Sequence, residues 1–165
     1  MNSKALGLSI LIILASSLLI CACSSKLPAE SEIRQLFIDN KSEFEKVKDN
    51  LVADTSGNLV IHLDGVNCQV DYAKKEDKKL SDSALESATK LMKRLHFWSI
   101  RKVYDRIYFD IAGDDDSEKA ETFEIVYDGT KFENGFNKVK NSKGFSSRFS
   151  KIDSNWGLVH CVENK

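Results

Sequence analysis

Apolar and polar residues alternate along this chain with two periods, and these periods divide it into helices and strands. Ile33, Phe37, Phe44, Val47 and Leu51 recur at helical spacing and form one stripe. Pro28 stands where a helix can begin, and Glu30 and Glu32 follow in the first turn, where the helix dipole favours acids. Asn40 interrupts the stripe, and Ser42-x-x-Glu45 has the form of a capping box. The pattern therefore predicts either one helix or two with a break near Asn40. Leu85, Ala88, Leu91, Met92 and Leu95 give a second helix one apolar face, with Ser83-x-x-Glu86 as its capping box. His96 ends that helix, placed to satisfy last-turn carbonyls.

The strand signals have period two. Asp64-Gly65 is a tight-turn dipeptide and predicts a hairpin in which Leu63 faces Val66, Ile61 faces Cys68 and Leu59 faces Val70. All six line one face, and His62, Asn67, Gln69 and Asp71 line the other with Val60. "SIRKVY", "RIYFDIA", "TFEIVYD" and "NWGLVHCVE" continue as strands. Ile107, Phe109 and Ile111 alternate with Tyr108 and Asp110, and Phe123, Ile125 and Tyr127 repeat the alternation. "AKKEDKKLSDS" reads as a solvated connection, and "GTKFENGFNKVKNSKG" as a glycine- and asparagine-rich excursion. The predicted fold class is α+β: a single domain, 30–165, with two or three helices packed on one face of a largely antiparallel sheet.

The amino end follows neither period. Lys4 precedes an uncharged run from Ala5 to Ala22, the layout of a secretory signal, although the run is near the ~18-residue minimum for a membrane span. At its end, Ile20-Cys21-Ala22-Cys23 resembles the cleavage box of bacterial lipoproteins, with small Ala22 before the cysteine. Cys21 fits that box badly because bulky Ile20 precedes it. The resemblance implies a signal over 1–22, a diacylated Cys23 as first residue of the mature chain, and a lipidated tether over 23–29. It also implies a place on the extracytoplasmic face of the cell membrane. A second resemblance lies in the "Tyr-Asp" of "KVYDRIYF", the "IVYDG" strand and the terminal "NW" strand, which are similar to small uncharacterised lipoproteins of Gram-positive bacteria. It implies a shared fold and brings no known activity.

Charge narrows the partners. The whole chain carries a net charge of −1, and losing Lys4 with the signal makes the remainder one unit more negative. Phosphate binding needs a basic excess, so no nucleic acid partner is expected, and no polybasic adhesion to anionic lipid. Because a single short acyl chain holds a protein only marginally, two or more chains are needed for a stable anchor.

Chemistry-bearing motifs are sparse. The chain has no G-x-S-x-G, no H-E-x-x-H and no phosphate-cradling glycine loop, so no catalytic residue and no cofactor is assigned. His62, Cys68, His160 and Cys161 are metal-ligand types, but in the predicted hairpin His62 and Cys68 point to opposite faces, as do His160 and Cys161 on a regular strand. The expectation is an exposed His62 and a buried Cys68. Asp114, Asp116 and Glu118 alternate as in a calcium loop, yet Lys119 and Ile125 stand where that loop needs glycine and glutamate. Trp98, Tyr104, Tyr108, Phe109 and Trp156 form either an aromatic platform or, as the more frequent use, core packing. Cys68 and Cys161 are expected as buried, separate thiols. The function these features favour is a non-catalytic module that binds a protein, peptide or cell-wall ligand. An envelope hydrolase with a site assembled from distant residues, or a purely structural lipoprotein, is the alternative.

Overall fold

The computed structural model describes residues 27–54, 57–64, 67–73, 79–115, 119–129 and 144–164. The apolar run 5–22, Cys21, Cys23 and Gly65 lie outside them. Among the described residues no helix is long and apolar enough to cross a membrane. The elements in chain order are α1 (Glu30–Asp54), β1 (Leu59–Asp64), β2 (Asn67–Tyr72), α2 (Asp82–Leu95), β3 (Ser99–Val103), β4 (Arg106–Asp115), β5 (Lys119–Asp128), β6 (Phe145–Lys151) and β7 (Trp156–Asn164). The chain is α+β, with one seven-stranded antiparallel sheet in the order β2-β1-β3-β4-β5-β7-β6.

Helix α1 runs unbroken for 25 residues. The side chain of Asn40 explains why: its amide donates to the Leu36 carbonyl at 2.7 Å and its oxygen accepts from Arg94 of α2 at 2.9 Å. The polar interruption is thus a strut between the helices, not a break. Glu45 belongs to no cap either. The first turn is closed by Glu32, whose carboxylate accepts from the Ala29 N–H at 2.7 Å. Helix α2 is capped two residues earlier than the Ser83-x-x-Glu86 pattern predicts: Ser81 is the N-cap, its hydroxyl accepting from Ala84 N–H at 3.2 Å. His96 closes α2 through its backbone, in the left-handed conformation (φ 57°, ψ 40°) with its N–H on the Met92 carbonyl.

The first hairpin has a different register from the predicted one. Asp64 pairs with Asn67, Leu63 with Cys68, Ile61 with Val70 and Leu59 with Tyr72. Asp64 is therefore a ladder residue, and the connection is 65–66. Each partner moves by two positions, so side-chain parity is kept and the face assignment stands for Leu59, Ile61, Leu63, Cys68 and Val70, while Val66 lies outside the described residues. Strand β6 is absent from the sequence prediction: "FSSRFSK" is polar and pairs only with β7, at the sheet's edge.

One sheet face joins the helices in a common core. Ile61, Ile100, Ile107, Phe109, Ile125, Trp156 and Leu158 cluster with Phe37, Phe44, Leu51, Ala88 and Leu91 of the helices. Phe44 is at its centre, with Phe37 at 5.4 Å, Phe109 at 4.9 Å and Trp156 at 6.2 Å between ring centroids. Phe109 and Trp156 are thereby core residues and no part of a surface platform. Lys102 also points to this face, where burial pulls its ammonium below the usual lysine range and its Nζ donates to the Leu51 carbonyl at 3.3 Å. That cation caps the C-terminal end of α1, whose own last turn has no basic residue. Between Asp110 and Ala112 the β4–β5 register shifts, and the extra residue, Ile111, is taken into the core.

Candidate functional site

The opposite sheet face carries the chemistry. Strands β3 and β4 are joined by two residues, Tyr104 and Asp105, between the pair Val103 and Arg106. Tyr104 has φ 54°, a conformation that glycine adopts without cost and a bulky residue does not. Its N–H is held by Asn58 Oδ1 at 2.7 Å, and its side chain is 76% exposed. The Asp105 carbonyl accepts from Gly129 N–H at 3.0 Å, which binds this turn to the end of β5. A Cβ on Gly129 would stand 3.2 Å from that same carbonyl oxygen, so the close approach favours glycine.

Asp128 completes this corner. It is 1% exposed, and its Oδ2 accepts from Arg106 Nε at 2.9 Å. Its backbone exchanges two hydrogen bonds with Asn155: N–H to the Asn155 carbonyl at 2.9 Å, and its carbonyl from Asn155 Nδ2 at 3.0 Å. Asp153 orders the adjoining turn by accepting from the N–H groups of Asn155 and Trp156, each at 3.0 Å, and pairs with Lys41 at 2.5 Å. Burial pushes the Asp153 carboxyl up, but the Lys41 ammonium and the two N–H donors hold it below the usual range. Val103, Tyr104, Asp105, Arg106, Tyr108 and Asp128 together line a cleft of about 230 Å³.

Farther along the same face, Arg101 bridges two carboxylates. It donates to Asp110 at 3.1 Å and to Glu124, and its guanidinium lies 5.0 Å over the Tyr108 ring. Ser99 donates to Asp110 Oδ2, which also accepts from Arg101 Nε at 3.2 Å. Burial raises Glu124 to about 7 against the attraction of Arg101, with repulsion from Asp110 adding to the rise. The neighbouring Cys161 thiol is pushed up to about 11, by burial first and then by Glu124. Such a thiol stays protonated and is a poor nucleophile at neutral pH.

The remaining sequence candidates are dispersed. His62 is half-buried, not exposed, and faces Asp71 at 3.6 Å. His160 meets Glu121 at 2.5 Å and stacks on Phe123 at 4.2 Å. Neither pair lines the Tyr104 cleft, nor the open groove of about 520 Å³ between β2 and α2. Cys68 and Cys161 are free thiols, partly rather than fully buried, on opposite sheet faces with β1, β3, β4 and β5 between their strands. Among the described residues no group of three or more His, Cys, Asp or Glu is placed to hold a metal ion. Asp114 pairs with Glu121 in the β4–β5 ladder, and Asp116 and Glu118 lie outside the described residues. Of the aromatic set, Trp98 and Tyr104 are exposed and Tyr108 is half-buried.

In the sequence the Tyr104-Asp105 pair stands out only through the resemblance, and the Arg101, Asp110 and Glu124 cluster does not stand out at all. Its signal was an arginine and two acids at the polar positions of three successive strands, legible only once those strands are set side by side. No family model matches the chain, and no curated protein or solved structure matches it.

Proposed function

We propose that this chain is a lipid-anchored envelope protein, a single domain whose helices cover one sheet face. In this reading it binds a protein, peptide or cell-wall ligand through the Tyr104 cleft. The observation that carries the reading is Tyr104 itself: a bulky residue held at φ 54° with its ring turned to solvent. Residues in such conformations cluster at binding and switch sites. The anchor is Cys23, released as the amino terminus when the signal 1–22 is cut.

The path of α1 supports this arrangement. Glu30, next to the tether, accepts from Arg148 and Ser150 of β6, while the far end of the helix meets Lys102 of β3. From β6 to β3 there are four strand spacings, about 19 Å at ~4.8 Å each. The cleft, lined from β3, β4 and Asp128 of β5, lies two to four of these spacings from β6, and in this reading it is set apart from the anchor.

Two measurements test the proposal. Intact mass of the membrane-extracted protein should begin at Cys23 and include diacylglycerol, and Cys23→Ala should abolish both. A photo-crosslinking residue at position 104, activated in native membranes, should capture an envelope component that the same residue at Ile38, on the exposed side of α1, does not. Equal capture at both positions defeats the reading.

A further inference from the structure

The lining of the Tyr104 cleft points to a ligand class, an inference that rests on the reading above. Glycine at position 104 would hold the turn without conformational cost, and a ring that is 76% exposed returns little burial for its strain. The ring is thereby accessible to a ligand. Around it, Asp105 supplies acceptors and Arg106 donors, while buried Asp128 and the Tyr108 side chain both bond to Arg106 and fix its direction. Two carboxylates against one guanidinium leave one net negative charge, which disfavours a free anion. The cleft's 230 Å³ corresponds to roughly eight waters at ~30 Å³ each, the room of a single sugar ring.

We propose that the Tyr104 cleft takes a neutral saccharide ring, one face stacked on Tyr104 and its hydroxyls reaching Asp105 and Arg106. Polyols suit such a lining because each hydroxyl both gives and accepts a hydrogen bond, and an aromatic ring offers an apolar face to the sugar's C–H groups.

The test is amide-resolved NMR of the detergent-extracted protein, titrated separately with the N-acetylglucosamine trisaccharide, choline chloride and sodium phosphate. The trisaccharide should shift the amides of 103–108, 128 and 129 saturably, and Tyr104→Gly should weaken this at least tenfold while the rest of the spectrum stays folded. Tyr104→Asn, which also tolerates the left-handed conformation, serves if the glycine variant fails to fold. Tyr104→Phe should keep binding. Larger shifts from choline identify a cation site and overturn the proposal, as does the absence of any shift from the trisaccharide. A protein cross-linked through position 104 without a saccharide response would leave the binding-module reading standing and remove only the saccharide.

Discussion

The indole Nε1 of Trp156 donates to Glu45 Oε1 at 2.7 Å, tying the first residue of the last strand to the middle of helix α1. Trp156 is 1% exposed, so this donor has no recourse to water, and Lys48 holds the other Glu45 oxygen at 2.9 Å. Glu45→Ala should lower stability by about 1–3 kcal/mol, the cost of stranding a buried donor. Glu45→Gln keeps an acceptor and should recover most of it in chemical denaturation. Equal losses for the two variants would mean that the bond contributes nothing.

Trp98 and Gly113 are matched by size. A Cβ built on Gly113 would stand 2.3 Å from the far edge of the Trp98 ring and 3.3 Å from Thr122 Cγ2. Gly113→Ala should therefore swing Trp98 outward, which is feasible for a ring already 48% exposed, and red-shift its emission. In a Trp98→Ala background the same substitution should cost less, because only the 3.3 Å approach to Thr122 Cγ2 remains.

The parts of this fold that were legible in the sequence are those set by local period. The α1 stripe, the α2 face and the alternation through Ile107, Phe109 and Ile111 depend only on close neighbours in the chain, and each turns to the core as its pattern predicts, with Leu85 and Leu95 of α2 only partly buried. Register depends on how two strands close, and there Asp64-Gly65 misled: Asp64 entered the ladder opposite Asn67. Strand β6 was illegible because its two phenylalanines, Phe145 and Phe149, sit four apart among polar residues, and an edge strand needs no apolar face. The site was half legible. The Tyr104-Asp105 turn is a local feature, whereas Arg101, Asp110 and Glu124 meet only across three strands. Nor could spacing tell the buried Phe109 and Trp156 from the exposed Trp98, since only the direction of each strand residue decides that.

The two cysteines should behave as separate thiols. Four strands lie between β2 and β7, far beyond the ~7 Å Cα separation a bridge permits. Alkylation of the unfolded, unreduced protein should label both Cys68 and Cys161. In the native protein Cys161 should react slowly at pH 8, since its thiol is pushed up to about 11. A mass two protons lower with neither residue labelled would contradict the strand order itself.

Glu124 sets how stability depends on pH. Its folded value is about 7 against an ordinary 4.5, so between those values the folded chain holds a proton that the unfolded chain has lost. Stability from this group is complete below pH 4.5 and is lost as pH rises through 7, by up to about 3 kcal/mol. Glu30, Glu121 and Asp153 act with the opposite sign, each held below its usual value: Glu30 mainly by Ser150, Glu121 mainly by Lys119, and Asp153 by Lys41 against its own burial. Their contribution is gained as pH rises to about 5 and is level above it. The window from pH 5 to 8 therefore isolates Glu124. Denaturation midpoints should fall across that window in the unaltered protein and flatten in Glu124→Gln, which keeps the shape of the side chain without the charge. The variant should also be the more stable of the two at pH 8, where the buried carboxylate is ionised and Asp110 alone suffices to pair Arg101. A Glu124→Gln profile that falls as steeply as the parent's would place the titrating group elsewhere.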